Sequence, residues 1–466
     1  MDARPFEYAN EEDGDRKQES TMARDVELSG DTSDGSSLKE TTEDLLNATT
    51  LSPLRKLHIV VAGFTCTFNG NLGSSMPSGA LDAIGEQFGV TDRVHLILLN
   101  SLFMCGYVLG PLLFGPLSEY IGRRPVLIGT YCGYIIFMLA CSGAPTYPVL
   151  LLFRLLCGIN AAAPTTVIGG LYADILDNPA VRGNAMALYM TVTTVGPLIG
   201  PIVSGFSSPM SWRWPFWIAG ILGVCGLPLV LTLPETYAPV LHNNAVKRQL
   251  KRNKGAVDGK QQQQLQLQPF NVRKIFLRPM KLLFTEPILM ATSAYLTMAY
   301  SVFYLLFQAY PVIFKDFYGM SPGMAGLAFL PGATTNSRFH RMVIALFWLG
   351  WTVWPSTSPV LPMFSGVLFG CGFNLLFMGM INYLTDVFRQ YSASAHAAAS
   401  MTRSIGAITL PLAAGKMYGN LGVHWAPSVL GFIALAMGVI PFIFIRFGDS
   451  LARSSKTARE AFAIGN

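Results

Sequence analysis

From residue 53 onward the chain reads as a series of long apolar runs separated by short polar joints. The runs fall at roughly 55–76, 94–114, 125–143, 148–171, 184–206, 214–233, 287–312, 342–355, 361–385, 397–418 and 425–446. Most reach 18 residues or more with few charges, long enough to cross a hydrocarbon core about 30 Å thick. The stretch from Pro125 to Phe153 holds no Asp, Glu, Lys, Arg or His. Inside lipid every backbone N–H and C=O needs an internal partner, so runs of this length predict helices. The pattern predicts an all-α membrane protein.

Two stretches break the pattern. Residues 1–52 are polar, and the first 50 carry 14 of the chain's 27 acidic side chains against 5 basic ones. Such a segment cannot bury a core and reads as a disordered, acidic N-terminus. Residues 234–285 hold a basic run (Lys247, Arg248, Lys251, Arg252, Lys254) and then a Gln-rich tract, which reads as a flexible linker. The linker separates a six-helix bundle at 53–233 from a second bundle at 286–448, followed by a tail at 449–466. Only 13% of the 466 residues are charged, about half the load of a soluble chain. The seven cysteines all lie in apolar runs without metal-ligand spacing, so no metal or cofactor is expected.

Lys and Arg set the orientation. Arg55 and Lys56 precede the first span, Arg123 and Arg124 join the second to the third, and Arg182 joins the fourth to the fifth. The linker is basic, and Arg446, Arg453, Lys456 and Arg459 follow the last span. Both termini and the linker are therefore expected in the cytosol, and the glycosylation acceptor Asn47-Ala48-Thr49 is expected to go unused. Eleven spans cannot return a chain to the side it started from. The missing crossing must lie between Lys315, expected outside, and Arg338 and Arg341, expected inside. Its only apolar piece is 321–332, where about 10 apolar residues reach roughly 15 Å. About one helix, the eighth, is expected to be lost here; the alternative is a re-entrant half-helix sheltered by protein.

Several motifs carry chemistry. Gly115-Pro-Leu-Ser-Glu119-Tyr-Ile-Gly122-Arg123-Arg124 joins spans two and three, with Gly122 permitting a tight turn and Glu119 offering a charge to a neighbouring helix end. Arg154 stands inside span four, where a lone charge is a functional candidate unless it snorkels to the interface. Gly196, Pro197, Gly200 and Pro201 in span five allow close helix approach and bending. Together these stretches resemble signatures of the major facilitator superfamily, in its fungal-type twelve-helix drug:proton antiporter branch. Trp212–Trp217, Leu233–Pro239 and Tyr300–Phe314 resemble the same branch, and the likeness covers about residues 54 to 455. The family usually has Asp then Arg where this chain has Glu119 and Tyr120.

The resemblance implies a fold of two six-helix bundles, the second one helix short, and proton-coupled efflux of drugs, toxins or secondary metabolites. It implies a coupling role for Arg154, gating at Glu119, Gly122, Arg123, Arg124, Asp174 and Arg182, and an antiporter bend at Gly196, Pro197, Gly200 and Pro201. Asp174 is expected to pair with Arg123 or Arg182. Substrate sites of such folds lie near mid-membrane between the halves. The candidates there are Asn69, Asn71, Tyr189, Thr193 and Thr194 in the first bundle, and Tyr300, Tyr304, Gln308, Asn374, Asn382 and Arg403 in the second. Aromatics and amides with few charges suit bulky amphipathic molecules. The expected partners are membrane lipid, the small-molecule substrate and protons, with no nucleic acid, in a plasma-membrane monomer. No His-Glu-x-x-His pair, Ser-Lys arrangement or phosphate loop suggests an enzyme. An importer of the same fold and an inactive remnant remain as alternatives.

Overall fold

A computed structural model of the chain describes residues 51–176, 178–237, 240–241, 280–327, 341–388, 392–440 and 446. The expectations for 1–50, for most of the linker and for the C-terminal tail fall outside these residues, as do the side chains of Glu119 and Asn382.

Among the described residues the regular structure is helical, as the apolar pattern predicts. α1 (Pro53–Ser75) ends in a 3₁₀ turn (Met76–Gly79), and the short α2 (Leu81–Phe88) follows. α3 (Arg93–Ile121) and α4 (Arg123–Ser142) meet at Gly122; α5 (Tyr147–Ala161) and α6 (Ala163–Ile175) form one crossing broken near Ala162. α7 (Pro179–Ser207) and α8 (Trp214–Leu231) complete the first half. The second half holds α9 (Pro287–Tyr310), running on into a π-helical end (Pro311–Phe317), then α10 (Pro322–Leu327), α11 (Arg341–Thr352), α12 (Val360–Met363), α13 (Ser365–Phe388) and α14 (Ser392–Met437). α14 is two crossings in one, because Gly422 (φ 72°, ψ 179°) turns the chain back. Proline opens α1, α8 and α9, where its missing N–H costs nothing.

The crossings match the eleven apolar runs. The described part of α11, 12 residues, covers about 18 Å. α10 has 6 residues, about 9 Å, and 328–340 lie outside the described residues, so the expected gap at the eighth crossing falls largely there. The helix faces turned outward are apolar: Trp217, Ile221, Leu222 and Val224 on α8 are all exposed, a surface suited to lipid. The chain is a multi-pass integral membrane protein.

In the first half α1 packs on α7 and α8, α3 on α5, and α4 on α5 and α8. In the second, α9 packs on α14 and α11 on α13 and α14. The halves meet where α3 lies on α14 and α7 on α10 and α13. The α1–α7 contact is close because Gly196 and Gly200 face α1: a Cβ on Gly196 would sit 3.1 Å from Leu72 N and Phe68 O. On the other side of the molecule Gly406 of α14 gives α9 the same intimacy, with a Cβ 3.3 Å from Thr297 O. Prolines inside α7 free carbonyls that lipid cannot satisfy. Pro201 has no N–H for the Pro197 carbonyl one turn back, and Ser75 Oγ of α1 donates to that oxygen at 2.7 Å.

Candidate functional site

The face carrying Arg123, Arg124 and Arg182, expected to be cytosolic, is the basic face. Here the α3–α4 turn depends on Gly122, whose φ of +108° disfavours any residue with a Cβ. Space forbids one too, because a Cβ would lie 2.8 Å from the Glu235 carboxyl carbon. That carboxylate caps α4: Arg123 N donates to Oε1 at 2.9 Å and Arg124 N to Oε2 at 3.2 Å. An anion at a helix N-terminus meets unpaired N–H groups and the positive end of the dipole. The Arg123 side chain is buried; it donates from Nε to Asp174 at 3.3 Å and from Nη1 to Ser118 Oγ at 3.1 Å, and its guanidinium covers the Tyr237 ring at 5.0 Å. Of the two partners expected for Asp174, the structure selects Arg123, while Arg182 is exposed at the start of α7. Burial lifts the Asp174 carboxyl above the ordinary carboxylate range although Arg123 pulls it down. Residues 234–237, assigned by sequence to the linker, thus dock on the first bundle, with Thr236 fully buried.

Arg154 does not snorkel. It is fully buried, with its guanidinium 4.4 Å over the Phe103 ring. Its Nε donates to Leu99 O at 3.0 Å, Nη1 to Gly73 O at 2.8 Å and Nη2 to Ser74 O at 3.1 Å. The Gly73 carbonyl would normally accept from residue 77, but Pro77 has no N–H. Arg154 therefore caps the end of α1 from a different helix, placing a cation against the negative end of its dipole.

The central site lies between the halves. Tyr300 and Tyr304 of α9 are buried with centroids 5.0 Å apart, and Tyr300 stacks on Phe373 and Phe377 of α13 at 6.2 Å. Arg403 of α14 points into this group, 5.2 Å from the Tyr300 centroid and 5.0 Å from that of Phe377. Arg403 also lies within electrostatic reach of Tyr107 on α3 and Tyr189 on α7. It is eleven residues into α14, roughly 16 Å from the basic face and so near mid-membrane. At this depth hydrogen bonds bridge the halves: Thr194 Oγ1 donates to Asn374 Oδ1 at 2.7 Å, and the Ser74 and Tyr304 hydroxyls share a bond of 3.0 Å. An apolar cavity lined by Leu198, Phe303, Phe307 and Phe369 adjoins the group.

Not every predicted residue joins it. Asn69 turns into the first bundle, where Nδ2 donates to Tyr131 OH at 3.0 Å, so it is a tie within that half. Asn71 is buried against Gly196 at the α1–α7 contact. Gln308 is buried on α9. On the face opposite the basic one, Arg93 pairs with Asp316 at 3.0 Å and Lys315 with Asp82, both across the halves and both exposed. These ion pairs join the halves on that side.

A family model described as Major Facilitator Superfamily matches residues 63–342. The chain belongs to the major facilitator superfamily. Its facilitator relatives span nearly its whole length. The MFS-type transporter acdC of Aspergillus candidus is 34% identical, covering 89% of this chain and 89% of that protein. The Citrinin biosynthesis cluster MFS transporter mrr1 of Monascus ruber is 33% identical over 87% and 89%, and the Efflux pump FUBT of Fusarium oxysporum 31% over 90% and 77%. The solved structure of the proton:xylose symporter XylE superposes with a TM-score of 0.62, covering 85% of this chain and 96% of that one at 15% identity, a likeness of fold. The chain is a transporter and not an enzyme.

In this facilitator, sequence reasoning missed Glu235, Tyr107, Phe373 and Phe377. Glu235 had a readable signal, an acid just past span six in the same layer as a helix N-terminus. Phe373 and Phe377 are four residues apart, on one helix face with Asn374 beside them. Tyr107 carried no signal beyond being aromatic inside a span.

Proposed function

We propose that the chain exports small amphipathic organic compounds in exchange for protons, as a plasma-membrane monomer with its N-terminus in the cytosol. The observation that carries this reading is the mid-depth group of Tyr300, Tyr304, Phe377 and Arg403, walled by aromatic rings and bridged to the first half. Such walls bind flat apolar bodies by area and orient them by few polar groups. The ion pairs that join the halves on the face opposite the basic one support loading from the cytosol in the assigned orientation. The buried Arg123–Asp174 pair and the Glu235 cap brace the basic face of the first half, beside which an inner gate would form. Expression in a host lacking its own pumps tests the reading: cell content of a panel of toxic aromatics should fall, and a protonophore should abolish the fall. Unchanged content across the panel would refute it. One observation favours a second reading, a transporter-like chain that carries nothing: between Lys315 and Arg338 the sequence offers only about 10 apolar residues where a full crossing is needed.

A further inference from the structure

Two arginines stand inside the spans, and their surroundings differ. Arg154 is fully buried, and each of its three nitrogens donates to a carbonyl, those of Leu99, Gly73 and Ser74. Among the described residues Arg403 has one hydrogen bond, from Nη2 to the neutral Ser400 Oγ at 3.2 Å on its own helix. Its Nε is buried with no partner, and among the described side chains no carboxylate lies within 4.0 Å of it. A guanidinium carries five N–H donors. A buried N–H without an acceptor at mid-membrane is costly, and such a group is retained where something else completes it. Aromatic faces from Tyr300 and Phe377 stabilise the cation but accept no directed hydrogen bond.

We propose that Arg403 is the anchor for an anionic group, and that the carried compounds are organic carboxylates with a flat apolar body. The inference rests on the reading of this group as the transport site. A carboxylate matches the planar guanidinium fork with two parallel, charge-assisted hydrogen bonds, which a neutral amide cannot reproduce. The apolar body lies against the ring stack of Tyr300, Phe373 and Phe377, and the Tyr107 and Tyr189 hydroxyls, already within the field of Arg403, can donate to the same anion.

Calorimetric binding to the full chain in lipid nanodiscs tests this with two matched pairs, 2-naphthylacetate against 2-naphthylacetamide and 4-phenylbutyrate against 4-phenylbutyramide. The carboxylates should bind about 10-fold or more tighter than the amides. Arg403→Gln should abolish that preference while still binding the amides, and Arg403→Lys should keep part of it. The unfolding temperature of Arg403→Gln should fall little, because the substitution removes one hydrogen bond, to Ser400, and two ring contacts, and leaves no buried carboxylate or carbonyl unmet. Arg154→Gln, which strips three carbonyls, should lower it. Equal binding of acid and amide to the unaltered protein, or a preference that survives in Arg403→Gln, overturns the anion anchor. If binding is equal but Tyr300→Ala weakens both members, the site reading stands and only the anchor falls. If no probe binds at all, site and anchor fall together.

Discussion

Ser75→Ala isolates one hydroxyl that answers for a proline on another helix. Ser75 is fully buried, and its Oγ donates to Pro197 O at 2.7 Å. That carbonyl has no donor in its own helix because residue 201 is proline. Removing the hydroxyl leaves the oxygen unmet in an apolar contact, which costs about 1–2 kcal/mol, between the ~0.6 kcal/mol mean for bonds between membrane helices and the 1–3 kcal/mol for a buried unsatisfied group. Pro201→Ala restores an N–H one turn away, so Ser75→Ala should cost close to nothing in that background. The coupling across the double-mutant cycle should then be about 1 kcal/mol or more. Reversible unfolding of the full chain in detergent micelles, followed by loss of helical signal, measures all four members. An equal cost for Ser75→Ala in both backgrounds would show that the hydroxyl acts by packing alone, and the reasoning on freed carbonyls would fail.

Two further outcomes follow from the same geometry. Gly200→Ala should cost about 1–3 kcal/mol and reduce transport, since its Cβ would meet Leu72 O at 3.1 Å and Met76 N at 3.2 Å; Gly129→Ala on α4, with open space around it, should be neutral or stabilising in the same unfolding assay. The raised Asp174 carboxyl makes the folded state bind more protons than the unfolded one from the ordinary value of 3.8 upward. Stability should therefore fall as pH rises through that window, and Asp174→Asn should remove the fall. A pH-independent difference between the two proteins would contradict the burial argument.

The helices were legible because lipid imposes a single rule on the backbone, and length plus apolarity is enough to find the segments. The turn at Gly122 was readable for the same local reason. What the sequence withheld was direction around each helix. Asn69 and Tyr304 are both polar or amphipathic groups in mid-span, yet one faces Tyr131 inside its own bundle and the other faces Ser74 across the gap. Both faces of such helices are apolar, so periodicity does not separate them; α8 is apolar all round. Arg154 shows a second limit. Its partners are backbone carbonyls on two other helices, and no side-chain pattern records a carbonyl. The proline at 77 was the visible half of that arrangement, and the arginine the other half.

The borrowed donors of α1 have a mechanical consequence. Through Arg154 the end of α1 is pinned to α5, and through Ser75 it is pinned to the bend of α7. Curvature in α7 at Pro197 and Pro201 cannot change without dragging the tip of α1. That tip also carries Ser74, the hydroxyl that touches Tyr304 across the gap. Bending of one helix is thereby transmitted as displacement at the seam between the halves, so the first half acts as a lever whose arm ends where Ser74 meets Tyr304.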